Sequence, residues 1–75
     1  MEKTATPRQK KILQFIHSSC IRNNYSPTLQ EIGDEMGLTR VTVFEHVDAL
    51  VKKGLLLRGP KHKARSLRVS PKAQI

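Results

Sequence analysis

The chain has 75 residues, and its 14 lysines and arginines against 6 acidic residues give a formal net charge of +8. That length admits one small domain near the lower size limit for an unaided core, and leaves no room for a separate catalytic domain. The uncompensated positive field favours polyanionic partners, the single cysteine rules out an intramolecular disulfide and fits a cytoplasmic setting, and neither a signal core nor an apolar run of membrane-spanning length is present.

Thr6-Pro7-Arg8-Gln9 reads as a helix start: a threonine cap, proline at the first helical position and glutamine completing a capping box. The helix is expected to run to about Asn24, with Ile12, Leu13, Phe15, Ile16, Cys20 and Ile21 on its apolar side. Asn23-Asn24-Tyr25-Ser26-Pro27 carries turn chemistry, and Thr28-Leu29-Gln30-Glu31 is a second capping box. It opens a short helix that turns Leu29, Ile32 and Met36 inward and ends at Gly37. Thr39 caps a third helix reaching Lys53 and stopped by Gly54; Val43, Val47, Leu50 and Val51 share its inner face, and Val41, Glu45, Asp48, Ala49 and Lys52 look away. Leu55-Leu56-Leu57-Arg58 and Arg65-Ser66-Leu67-Arg68-Val69 read as two strands around a Gly59-Pro60-Lys61-His62-Lys63-Ala64 turn. The expected fold is mainly α with a small β-hairpin, a three-helix winged helix-turn-helix over residues 1–69, with 70–75 a frayed tail or linker stump.

In that arrangement the third helix is held by its inner face while its first turns are displayed to the major groove of duplex DNA. Arg40 can reach a phosphate or a guanine edge, Thr42 a base edge or phosphate, and Val41 a thymine methyl. Glu45 has two readings: an acceptor for the cytosine amino group, which confers specificity because phosphates repel it, or an exposed charge paired with Lys52 or Lys53. The spacing puts Phe44 on the shoulder between the two faces and favours core packing over a thymine contact; His46 reads as solvated or partly packed. Acidic residues stop at Asp48, while Lys52, Lys53, Arg58, Lys61, Lys63, Arg65, Arg68 and Lys72 follow it. Arg8, Lys10 and Lys11 on the first helix, Lys52 and Lys53, and Lys61, Lys63 and Arg65 in the basic wing at 58–68 are the candidates for phosphates; they position rather than specify.

Other classes fit less well. His17, His46, His62 and Cys20 are scattered over separate elements, with no nucleophile-base pairing or metal-ligand spacing, so neither catalysis nor a metal, cofactor or small-molecule ligand is expected. A winged-helix module docking an acidic protein is the main rival, since such a partner sees the same field. Single-stranded RNA would need a stacking platform that Phe15, Tyr25 and Phe44 hardly supply.

Pro7-Arg8-Gln9-Lys10-Lys11-Ile12-Leu13-Gln14-Phe15-Ile16, Tyr25-Ser26-Pro27-Thr28 with Glu31-Ile32, Gly37-Leu38, His46, Leu50 and Lys53-Gly54-Leu55-Leu56 resemble the N-terminal domain of LexA repressors over most of the chain. The resemblance implies a repressor domain that binds a palindromic operator as a homodimer, in a bacterial or phage-type intracellular, nucleoid-associated setting. It also places Thr39, Val41, Thr42, Phe44 and Glu45 at the bases. The stretch from Gly37 to His46 is one residue shorter than is typical, and Arg40-Val41-Thr42-Val43-Phe44 replaces a turn usually richer in Ser and Asn, which implies a different operator. The family's self-cleaving Ser-Lys protease part has no counterpart here, so the chain reads either as the DNA-binding part of a longer repressor or as a regulator sharing only this domain.

Overall fold

A computed structural model of the chain describes residues 5–59, 67–71 and 73. Three helices, α1 (Pro7–Asn23), α2 (Leu29–Met36) and α3 (Arg40–Lys52), precede two strands, β1 (Leu56–Arg58) and β2 (Leu67–Val69). The expected winged helix-turn-helix is the fold observed. Both capping boxes form: Thr6 Oγ1 accepts from Gln9 N and Gln9 Oε1 from Thr6 N, and Thr28 and Glu31 repeat the exchange. Each satisfies two amides that a helix start otherwise leaves open.

The helix ends follow from residues that tolerate positive φ. Asn24, Gly37 and Gly54 adopt φ of 63°, 70° and 76°, the left-handed conformation that closes a helix C-terminus. The connection between α2 and α3 is thereby reduced to Gly37, Leu38 and Thr39. β1 begins one residue later than the sequence suggests. The Leu55 amide donates to Leu50 O at 3.0 Å, closing α3, so the ladder proper begins at Leu56. Arg65, Ser66 and the turn expected around Lys61, His62 and Lys63 lie outside the described residues.

β1 and β2 pair antiparallel, with Leu56 opposite Val69 and Arg58 opposite Leu67. Leu56 and Leu67 point into the core, joining Ile12, Leu13 and Ile16 of α1, Ile32 of α2, and Val43, Val47 and Leu50 of α3. Removing each such side chain from water contributes about 1.5–3 kcal/mol, and this burial sets how α3 lies against the rest. Leu29, Met36, Phe15, Cys20 and Val51 are half-buried around it. Ile21 is a correction to the expected apolar face of α1: it is 68 % exposed, because it follows Cys20 by about 100° around the helix and so turns off the row of Ile12, Ile16 and Cys20. Beyond β2, where the sequence suggests a tail from residue 70, Ser70 is buried and donates to Leu55 O, and Ala73 packs against the core. No described helix is long and apolar enough to cross a membrane.

Candidate nucleic-acid interface

α3 divides cleanly into an anchored side and a displayed side. Val43, Val47 and Leu50 are fully buried, one turn or nearly two apart, so the residues between them must face outward. Arg40, Val41, Phe44 and Glu45 are all exposed, and they form one stripe along the first two turns. Thr39 starts the helix: its Oγ1 accepts from Thr42 N at 3.2 Å and donates to Thr42 Oγ1 at 3.0 Å. Thr42, half-buried beside the stripe, thus keeps its own hydroxyl proton for an outside acceptor.

Of the two readings of Glu45, the pairing with a lysine does not form: Lys52 Nζ instead pairs with Asp48 at 3.1 Å, across one turn of α3. Among the described residues the Glu45 carboxylate thus stands in the stripe without an ion pair. Phe44 departs from the core packing that the spacing favours. Its ring is 46 % exposed and carries the Arg58 guanidinium 5.3 Å from its centroid. The neighbour that Phe44 meets is Arg58, the last residue of β1, and not a residue of the buried core.

The candidate phosphate residues fall into three groups. Arg8, Lys10 and Lys11 are exposed on the first turns of α1. Lys52 is exposed but ion-paired, and Lys53 is turned inward, its Nζ 2.8 Å from Gln9 Oε1. Lys61, Lys63 and Arg65 lie outside the described residues.

Gln9, read from the sequence only as a cap, is the residue whose reach was missed. It is 6 % exposed; besides Thr6 N and Lys53 Nζ, it meets His46, whose Nδ1 lies 3.4 Å from Gln9 Nε2. His46 is accordingly partly packed, and the amide of Gln9 ties the start of α1 to two turns of α3. Ser26 makes a comparable link: buried in the α1–α2 turn, its Oγ accepts from Leu67 N at 3.2 Å and fixes the wing strand to the helical body. Among the described residues, no group of His, Cys, Asp and Glu could hold a metal ion.

Residues 2–66 match the family described as the LexA DNA binding domain. The chain is 41 % identical over 69 residues to a LexA repressor of Leuconostoc mesenteroides, covering 89 % of this chain and 32 % of the relative. It is 47 % identical over 60 residues to a LexA repressor of Pseudarthrobacter chlorophenolicus (79 % and 24 %), and 41 % identical over 69 residues to one of Pseudothermotoga lettingae (92 % and 34 %). It thus spans about a third or less of the length of these relatives. A helix-turn-helix with an anchored third helix, a wing strand tied to the body and a family match over most of its residues together place the chain in the LexA DNA-binding domain family.

Proposed function

We propose that the chain reads a specific duplex DNA sequence with the outer stripe of α3 and serves as the operator-recognising part of a repressor. The observation that carries this is the stripe itself: Arg40, Val41, Phe44 and Glu45 exposed on a helix whose opposite side is fully buried. Arg40 offers donors to guanine or phosphate, Val41 a methyl surface to thymine, and Thr39 and Thr42 hydroxyls to base edges or phosphate. Glu45, in no ion pair among the described residues, is poised to accept from cytosine, and its charge disfavours every other position along the groove. Arg8, Lys10 and Lys11, with Lys61, Lys63 and Arg65 of the wing, hold the flanking phosphates; Lys52 adds to them when it leaves Asp48, whereas Lys53 stays with Gln9. Two copies would engage a palindromic operator, one α3 in each half-site.

Selection of bound sequences from a random duplex pool tests this directly, and one preferred half-site motif is expected. Replacing both Thr42 and Glu45 with Ala should change that motif, while replacing Lys61 and Lys63 with Ala should weaken all duplexes alike. Equal loss on every duplex for both variants would remove base reading by α3. With about four to six phosphates neutralised, the log-log slope of the binding constant against salt should be roughly −4 to −5; a slope near zero would exclude the phosphate grip.

A further inference from the structure

The Arg58 side chain is held against a neighbour. Its guanidinium stacks 5.3 Å from the centroid of the Phe44 ring, and Phe44 stands in the outer stripe of α3, half out of the protein. The backbone on both sides is fixed: Arg58 pairs with Leu67 across the ladder, and Leu67 is itself buried and bound to Ser26. A guanidinium lying over a ring face is attracted through its π-surface, which leaves its five N–H donors in the plane unused. Among the described residues Arg58 has neither an ion pair nor a hydrogen bond from its side chain. A long, flexible cation is thus set at the junction of α3 and the wing, its donors turned to solvent and its rotamer freedom already reduced.

Resting on the duplex-binding reading above, we propose that Arg58 is a phosphate-binding residue of this chain, positioned by Phe44 against the recognition helix. The ligand is a backbone phosphate bordering the groove that α3 enters. A planar fork matches two phosphate oxygens at once, and a side chain issuing from β1, beside the stripe and not within it, comes to the wall of a groove sooner than to its floor. Phe44 then acts on DNA through Arg58. Its ring carries the helix position to the wing, so that both contacts arrive in one register.

Five chains are compared for affinity across salt concentrations and for sequence preference: unaltered, Arg58→Ala, Arg58→Lys, Phe44→Leu and the double variant of Arg58→Ala with Phe44→Leu. Arg58→Ala should weaken binding to every duplex about tenfold at low salt and make the salt slope shallower by about 0.9. Phe44→Leu keeps apolar bulk but loses the ring; it should weaken binding several-fold when Arg58 is present and leave Arg58→Ala no weaker than before. Arg58→Lys should recover the salt slope and only part of the affinity. In the free protein the side-chain proton resonances of Arg58 should lose their ring-current shift in Phe44→Leu. Unchanged affinity and slope in Arg58→Ala overturn the proposal while leaving the α3 reading intact, as does loss confined to one base position, which would mean a guanine contact. Failure of the unaltered chain to bind any duplex removes the reading beneath it.

Discussion

Gly33→Ala is expected to destabilise the chain by about 1–2 kcal/mol and to weaken duplex binding although no charge changes. Helix propensity alone predicts the opposite, since Ala inside a helix is better than Gly by about 1 kcal/mol. Space decides the sign. A Cβ at Gly33 would stand 2.7 Å from the carbonyl oxygen of Leu38 and 3.5 Å from Val43 Cγ2. The first neighbour is backbone, and it cannot swing aside as a side chain would. Leu38 lies in the three-residue turn, its own amide 2.9 Å from Gly33 O, where the Gly37 amide also donates. Thr39, next in the chain, is the N-cap of α3. Relief of the clash therefore has to move the turn, and the turn carries the start of the recognition helix with it. Overpacking of this kind costs about 1–3 kcal/mol, against a total of about 4–11 kcal/mol for a domain of this size. The variant should stay folded at room temperature, so denaturation midpoints and duplex affinities can be measured on the same sample. A more stable Gly33→Ala chain with unchanged affinity would show that α2 and the turn do not set the angle of α3.

How much of this could be read from the residues depends on how far each interaction reaches along the chain. Caps were legible because the partners of a capping box lie three positions apart and its chemistry is local: Thr6 with Gln9 and Thr28 with Glu31 are as expected. The inner face of α3 was legible for the same reason, since a helix of known start fixes which side Val43, Val47 and Leu50 share. Its outer stripe then follows. Residues at the edge of a face were not legible. Ile21 and Phe44 sit beside buried neighbours on their helices, and whether such a residue is covered depends on the element that passes over it, which periodicity does not reveal. The roles of Gly33 and Arg58 share that cause: one meets the turn five residues on, the other an aromatic ring fourteen positions earlier. The inward turn of Lys53 is the extreme case, because its acceptor lies 44 residues away on α1.

That acceptor makes Gln9→Ala the second substitution with a large expected effect, a loss of about 2–4 kcal/mol. The side chain is 6 % exposed, and among the described residues no buried side-chain nitrogen or oxygen lacks a partner. Truncation takes away the acceptor 3.1 Å from Thr6 N, the acceptor 2.8 Å from Lys53 Nζ and the amide 3.4 Å from His46 Nδ1 in one step. Thr6 N, Lys53 Nζ and His46 Nδ1 each lose a hydrogen bond worth about 0.5–1.5 kcal/mol net, more where the group is charged, and the vacated volume adds its own penalty. Gln9→Met separates the two contributions, because methionine fills similar space and offers no comparable donor or acceptor. It should recover the packing and leave most of the loss. Stability equal to the unaltered chain in Gln9→Met would mean that the hydrogen bonds contribute nothing and that Gln9 is only a filler. The same pair of variants bears on DNA. Arg8, Lys10 and Lys11 surround Gln9 on α1, and the amide of Gln9 fixes that turn against His46 of α3 and Lys53, its C-cap. With the tie removed, those cations no longer keep a set distance from the recognition stripe. Affinity measured well below the unfolding transition should therefore fall for both variants alike, with sequence preference retained.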